Sequence, residues 1–201
     1  TNEELIQSFL NNESELALKE IADFMQNYNV GFVTLADSQG SVVARAHAPT
    51  KIGDTVARER GFEEALLGKS FVTVDRSDVE GLSIRATSPL RSDGEFVGAV
   101  ILGFQLDNPF LDKLKRVTGL DLFIFEDGLS VASTAFAQNG TTRLVGGEPV
   151  DSAIIKSVID NGEFITETIS IKGSKYEAGV MPLVNGDNKN IGMISAAKPQ
   201  G

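Results

Sequence analysis

The sequence predicts an α+β protein: a long N-terminal helix followed by two five-stranded antiparallel sheet modules, one after the other. Three observations predict it. Apolar residues recur at helical spacing from the start of the chain to Tyr28, and the period then drops to two. Beyond that point the order strand, turn, strand, helix, three strands occurs twice.

The helix is marked by Leu5, Phe9, Leu16, Ile21, Phe24, Met25 and Tyr28. Thr1 and Glu4 have the spacing of a capping box, and Asn11-Asn12 predicts a bend, because asparagine competes for backbone hydrogen bonds. GFVTLAD (31–37), the turn SQG and SVVARAH (41–47) make a hairpin signal. Asp54 to Leu67 reads as a helix ended by Gly68, followed by strands at 69–75, 81–90 and 95–107. Pro109 to Val117 is a further helix ended by Gly119. The second module repeats the plan: a hairpin at 121–136, a helix near 151–160, and strands at 163–171, 175–184 and 190–198. The expected division is residues 1–29 for the helix, 30–118 for the first module and 119–201 for the second. IRATSPLRSDGEFVGAVI (84–101) can also be laid on AGVMPLVNGDNKNIGMIS (178–195), with Pro-Leu, a Gly/Asp turn and an early glycine in common, which points to duplication.

Composition narrows the function. The net charge of −10 gives no basic stripe for phosphates, so nucleic acid is not an expected partner, and an acidic surface repels anionic lipid heads. The chain has no cysteine, which excludes disulfides, thiol catalysis and cysteine-ligated metals. No apolar run is long enough to span a bilayer. The chain reads as an excised soluble fragment whose transmembrane neighbours have been removed.

The chemical inventory is poor for catalysis. His47 is the only histidine, too few for a zinc site, and no G-x-S-x-G elbow accompanies it. Gly68-Lys69-Ser70 ends like a phosphate-binding loop, but Glu63 stands where that loop needs glycine and a helix precedes it instead of following. The many carboxylates sit at turns and on solvated helix faces. No catalytic residue, metal site or cofactor is expected.

The cationic residues carry more. Arg45 and His47, two apart on one predicted strand, share a face, as do Ser83, Arg85 and Thr87 on another. Such residues make either a solvated face or a pocket. A buried positive cluster with no carboxylate on the same faces needs an anion, and arginine takes a carboxylate with both arms of its fork. The following loop, APTKIGD, adds Lys51 and the amides around Gly53. Aligned on the hairpins, the second module has Ser133 for Arg45, Ala135 for His47 and Ala178 for Arg85. A requirement of the common scaffold would appear in both copies, so these charges favour a ligand of the first.

VTLADSQGSVVARAHAPTKIGD (33–54), LLGKSFVTV (66–74) and GLSIRATSPLRSDGEFVGAVILGFQLD (81–107) resemble the Cache class of extracytoplasmic sensor domains of methyl-accepting chemotaxis proteins and sensor histidine kinases. The resemblance covers about Leu16 to Lys115; the second module matches by element order and turn residues. It implies PAS-like sheets behind the N-terminal helix, doubled along it, and a ligand pocket in the first, membrane-distal module. Arg45, His47 and Arg85 lie on its motif strands, and Lys51 and Asp54 on its capping loop. Ile52 to Leu67 contains Phe62 as its sole aromatic, which departs from the aromatic-rich pattern of amino-acid-binding relatives and points to small carboxylates.

The reading is therefore the periplasmic ligand-sensing domain of a bacterial inner-membrane chemoreceptor or kinase, a homodimer in the full-length receptor, anchored through flanking helices. Arg45, Arg85 and His47 hold a small carboxylate, which draws the capping loop onto the sheet. The alternatives are a non-sensing dimerisation or interaction domain, or a hydrolase.

Overall fold

The computed structural model describes residues 2–11 and 13–200. The chain divides into two compact units, Thr1–Gln105 and Leu106–Gly201. It is α+β, with one five-stranded antiparallel sheet in each unit.

The first unit opens with two helices in place of one long one, α1 (Asn2–Leu10) and α2 (Ser14–Asn27). The predicted bend is a break. The Glu13 amide reaches back five residues to the Ser8 carbonyl, and regular spacing resumes with Ala17 bonding Glu13. Thr1, where the capping box was expected, and Asn12 lie outside the described residues. Then come β1 (Phe32–Asp37), β2 (Val42–Arg45), α3 (Arg60–Leu66), β3 (Phe71–Ser77), β4 (Gly81–Ser92) and β5 (Glu95–Gln105). Their order in the sheet is β2-β1-β5-β4-β3.

The helix predicted from Asp54 forms only from Arg60. Residues 53–56 instead bond along the edge of the first hairpin: Gly53 and Asp54 exchange bonds with Val42, and Val56 bonds to Gly40. Val56 is thereby buried in the core, so tertiary pairing overrides local helix preference. This leaves a capping loop from about 48 to 59 between β2 and α3.

Alternation along β1 sets the two faces of this sheet. Val33 and Leu35 pack with Ala17, Ile21, Ala44 and Leu90 under the N-terminal helices. Phe32 and Ala36 point the other way, into a cluster with Val56, Phe62, Ala65 and Ile101 beneath the loop and α3. Gly103 on β5 is needed for this packing. A Cβ there would lie 1.9 Å from the Ile84 carbonyl oxygen and 2.9 Å from the edge of the Phe32 ring. Gly103→Ala is expected to destabilise the first unit by about 3 kcal/mol, because the obstacle is backbone. Urea unfolding checks this, and an unchanged midpoint would contradict the tight approach.

The second unit begins with α4 (Asn108–Thr118), capped by the Asp107 carboxylate at its start and left-handed Gly119 at its end. It continues with β6 (Asp121–Glu126), β7 (Leu129–Ser133), α5 (Ser152–Ile155) running into a wider π-turn at Lys156–Asp160, and β8 (Ile165–Ile171), β9 (Ser174–Val184) and β10 (Asn190–Pro199). The sheet order, β7-β6-β10-β9-β8, repeats that of the first unit.

Register makes the repetition exact enough to compare single residues. Thr34 pairs with Arg45 and Ile101, as Phe123 pairs with Ser133 and Ser195. Thr87 pairs with Ile101, as Val180 pairs with Ser195. Ser83, Arg85 and Thr87 therefore correspond to Tyr176, Ala178 and Val180, and Thr34 to Phe123. In the second unit those positions belong to one apolar cluster, with Phe123 and Tyr176 edge to face at 5.1 Å. The same scaffold holds rings in one copy and charges in the other.

Candidate functional site

The charges of the first unit meet under the capping loop. Arg45 ends β2 and points away from α2, while its neighbour Ala44 packs toward the helices. Arg85 comes from β4, with β1 and β5 lying between its strand and that of Arg45. His47 lies just past the end of β2, not within it, yet its ring stands 5.5 Å from that of Phe32. The Arg85 guanidinium lies 5.8 Å from the same ring. Arg45, Arg85, Ser83 and Thr87 are all buried, so this side of the sheet is not a solvated face.

One expectation fails. The cluster does contain carboxylates, supplied by turns and the loop instead of the strand faces. Glu80 sits at its centre: Oε1 accepts from Arg45 Nε at 3.2 Å and His47 Nε2 at 2.9 Å. Its Oε2 accepts from Arg85 Nη2 at 3.0 Å and from the Ser77 hydroxyl. Asp54 takes both arms of the Arg45 fork at 2.7 Å each. Glu59, at the start of α3, bonds Arg85 Nη1 at 2.7 Å in place of capping its own helix. Two guanidiniums thus face three carboxylates.

Glu80 and Glu59 were not among the residues singled out from the sequence. Glu80 had a signal. The β3–β4 turn has three residues between the paired Ser77 and Gly81, whereas the β8–β9 turn has two between Ile171 and Ser174. The extra length carries Glu80 back over the sheet, where Ser77 fixes it through the Glu80 amide as well. Thr34, buried opposite Arg45, was also missed.

The remaining predicted residues are dispersed. Lys51 contributes its carbonyl, 2.5 Å from Arg45 Nη1, while the residue itself is exposed. The Ser83 hydroxyl is directed at the Asp75 carbonyl, 3.5 Å away. Thr87 lies under Gly61 of α3, where a Cβ would come within 2.4 Å of its hydroxyl. The capping loop is thus fastened to the sheet by Asp54 and the Lys51 carbonyl.

Environment separates the three carboxylates. Burial opposes ionisation of Glu80, but bonds from His47 and Ser77 and the two guanidinium charges outweigh it, holding its pKa at about 2. The Arg45 fork lowers Asp54 and is itself raised in return. Burial pushes Glu59 above its ordinary value despite Arg85. Glu59 is therefore the member that takes a proton most readily.

Exposure separates them as well. The side chains of Arg45 and Glu80 are each 3% exposed, whereas that of Asp54 is 50% exposed. Among the described residues, three buried side-chain atoms of this region have no protein hydrogen-bond partner: Thr34 Oγ1, His47 Nδ1 and Arg85 Nε. A groove of about 460 Å³ lies on the opposite face of the sheet, against Ile21, Phe24 and Tyr28 of α2 and Val33, Val100 and Leu102. It includes none of the charged cluster.

Among the described residues no helix is long and apolar enough to cross a membrane. No curated protein sequence matches the chain. Solved structures share its fold. The periplasmic domain of Vibrio cholerae LuxQ is 11% identical, with a TM-score of 0.59 over 98% of this chain and 85% of that one. The sensor domain of the V. cholerae histidine kinase DctB is 10% identical, with a TM-score of 0.56 over 98% and 84%. The ligand-binding domain of the Campylobacter jejuni chemoreceptor Tlp3, in complex with 4-methylisoleucine, is 13% identical, with a TM-score of 0.50 over 98% and 75%. A family model, the double sensory domain of two-component sensor kinases, matches residues 1–200, and the chain belongs to that family as a double Cache sensory domain.

Proposed function

We propose that this chain is the extracytoplasmic part of a transmembrane chemoreceptor or sensor kinase, and that its first unit senses a small carboxylate at Arg45, Arg85 and His47. The observation that carries the reading is the Arg45 fork. A buried guanidinium is closed by a half-exposed carboxylate from a loop, the geometry a ligand carboxylate would adopt. Exchanging Asp54 for such a ligand keeps the charge count of the cluster, so no uncompensated charge is buried.

The signal follows from where Arg45 is attached. Asp54 and the Lys51 carbonyl tie the loop to β2, and Ala44 on the other side of that strand packs beneath α2. Because the loop is already fastened to Arg45, a ligand that takes the fork releases it, the reverse of the loop closure expected from the sequence. It thereby biases the strand against the helix, provided it binds one arrangement better than the other. The binding of an amino acid by the Tlp3 domain supports a small-molecule role for this fold, and the sensor and periplasmic domains among its structural neighbours support an extracytoplasmic place.

Thermal unfolding with acetate, propionate, pyruvate, lactate, succinate, malate and citrate tests the reading. A ligand at about 100 times its Kd adds about 2.7 kcal/mol. That corresponds to a rise of roughly 5–10 °C for a chain of this size. A flat response to all seven would leave the cluster as an ion-pair network within an interaction domain.

A further inference from the structure

The N-terminal helices leave the middle of the first sheet open. α1 leans on β4 and α2 on β1 and β2, so the middle of β5, the central strand, lies between them. Along β5, Ala99 and Ile101 on the other face are 0% and 2% exposed, whereas Val100 and Leu102 stay half-buried. Val100 and Leu102, with Val33 and Leu90, floor the groove of about 460 Å³, and Leu5 and Ile21 wall it from the two helices. Small-molecule sites have volumes of this order and the same mainly apolar lining with a few polar groups.

The polar groups here all suit a positive charge. Apart from Asn27, they are the carboxylates of Glu20 and Asp23, and no basic residue lines the groove. Among the described residues neither carboxylate has an ion-pair or hydrogen-bond partner. Asn27 is the last residue of α2, whose final turn carries no basic residue, so the negative end of the helix dipole is uncompensated. Phe24 and Tyr28, both exposed, set two rings 4.5 Å apart beside it, and ring faces attract cations.

A second copy of the chain is a poor occupant. Between Asn2 and Tyr28, Lys19 is the sole basic residue against Glu3, Glu4, Glu13, Glu15, Glu20 and Asp23, so pairing two such faces sets like charges together. An anionic ligand meets the same repulsion. We infer that this groove binds an organic ammonium, its apolar body over Val100 and Leu102 and its charged head at Glu20, Asp23 and the end of α2. The site lies on the opposite face of the sheet from Arg45 and Arg85 and stands independently of the carboxylate reading.

Titration of the whole chain with n-hexylamine, n-hexanol, n-hexanoate and methylamine at neutral pH and low ionic strength tests it. Tyrosine fluorescence reports the groove, because Tyr28 is 68% exposed and the other tyrosine, Tyr176, is buried in the second unit. Hexylammonium is expected to saturate this signal and to bind at least about tenfold more tightly than hexanol or hexanoate, a ratio that added salt reduces. Methylammonium, which lacks the apolar body, should not saturate it. Replacing Glu20→Gln and Asp23→Asn together, at positions outside the core, should bring the ratio of amine to alcohol close to one. Val100→Lys places a competing ammonium in the groove and should weaken hexylammonium binding at least about tenfold.

Hexanol binding as tightly as hexylamine would overturn the inference and leave a groove with no preference for charge. A preference for the amine that survives the double substitution would also overturn it, placing the binding elsewhere on the acidic surface. So would a Tyr28 signal that no amine saturates. A dimer in sedimentation that Val100→Lys dissociates would make a second copy the occupant instead. Hexanoate held at the Arg45 fork would give heat in calorimetry without the Tyr28 signal, so the two sites are read apart.

Discussion

Glu80→Ala is expected to destabilise the first unit by about 3–5 kcal/mol, the usual consequence of removing one partner from a buried charge network. The apparent Tm of that unit should fall by more than about 10 °C. The mutation removes the acceptor shared by Arg45, His47 and Arg85, leaving Arg85 with Glu59 and Arg45 with Asp54. Its acid dependence should change too. Because the folded pKa of Glu80 lies below its ordinary value, its contribution is complete above about pH 4.5 and is lost as pH falls toward 2. Glu59 has the opposite sign: its raised pKa favours folding at low pH, and that contribution disappears as pH rises through the folded value. Wild-type protein should therefore lose stability over the acid window, and Glu80→Ala should flatten the loss. Replacing Arg45, Arg85, Glu80 and Glu59 together by methionine should recover most of the stability, since an apolar set of similar volume replaces the network and only the half-exposed Asp54 loses its partner. A quadruple variant less stable than Glu80→Ala would contradict this account. Circular dichroism melts across pH 2–7 measure all of these.

Asp54→Ala should have the reverse effect on binding. If Asp54 occupies the fork that a ligand needs, its removal should tighten carboxylate binding by about tenfold or more, or about 1.4 kcal/mol. The unliganded domain should lose a smaller amount, because Asp54 is half exposed and its pair with Arg45 is partly screened. Calorimetry with the tightest acid of the panel reads the first effect, and urea unfolding the second. Equal affinities in wild type and variant would mean that the ligand does not compete for the fork. Weaker binding by the variant would mean that Asp54 contacts the ligand or orders the loop around it.

The architecture was legible because its signals are local. Alternation in GFVTLAD and FIFED, turn glycines and the repeated element order require no tertiary information. The N-terminal break was visible as Asn11-Asn12, but its extent was not. The helix expected from Asp54 failed because Gly53, Asp54 and Val56 bond to the neighbouring hairpin edge, a choice that local propensity does not encode. The burial of Arg45 and Arg85 was one of two readings that strand alternation allowed, and it comes from the capping loop and α3, not from the N-terminal helices, which cover the other face. Their partners were not legible, because Glu80 and Glu59 reach the cluster from a turn and a helix start, where acidic residues normally meet water. A comparison of hairpin lengths would have brought out Glu80. Nothing comparable distinguishes Glu59 from the other acidic residues before α3.

That one-residue difference in turn length has a consequence for how duplicated domains diverge. In the second unit the shorter turn goes with a ring-filled interior, and in the first the longer turn supplies the counterion that lets two arginines stay inside. With the shorter turn Arg45 and Arg85 would keep Asp54 and Glu59 but lose the acceptor they share, so turn length and interior charge are coupled in this scaffold.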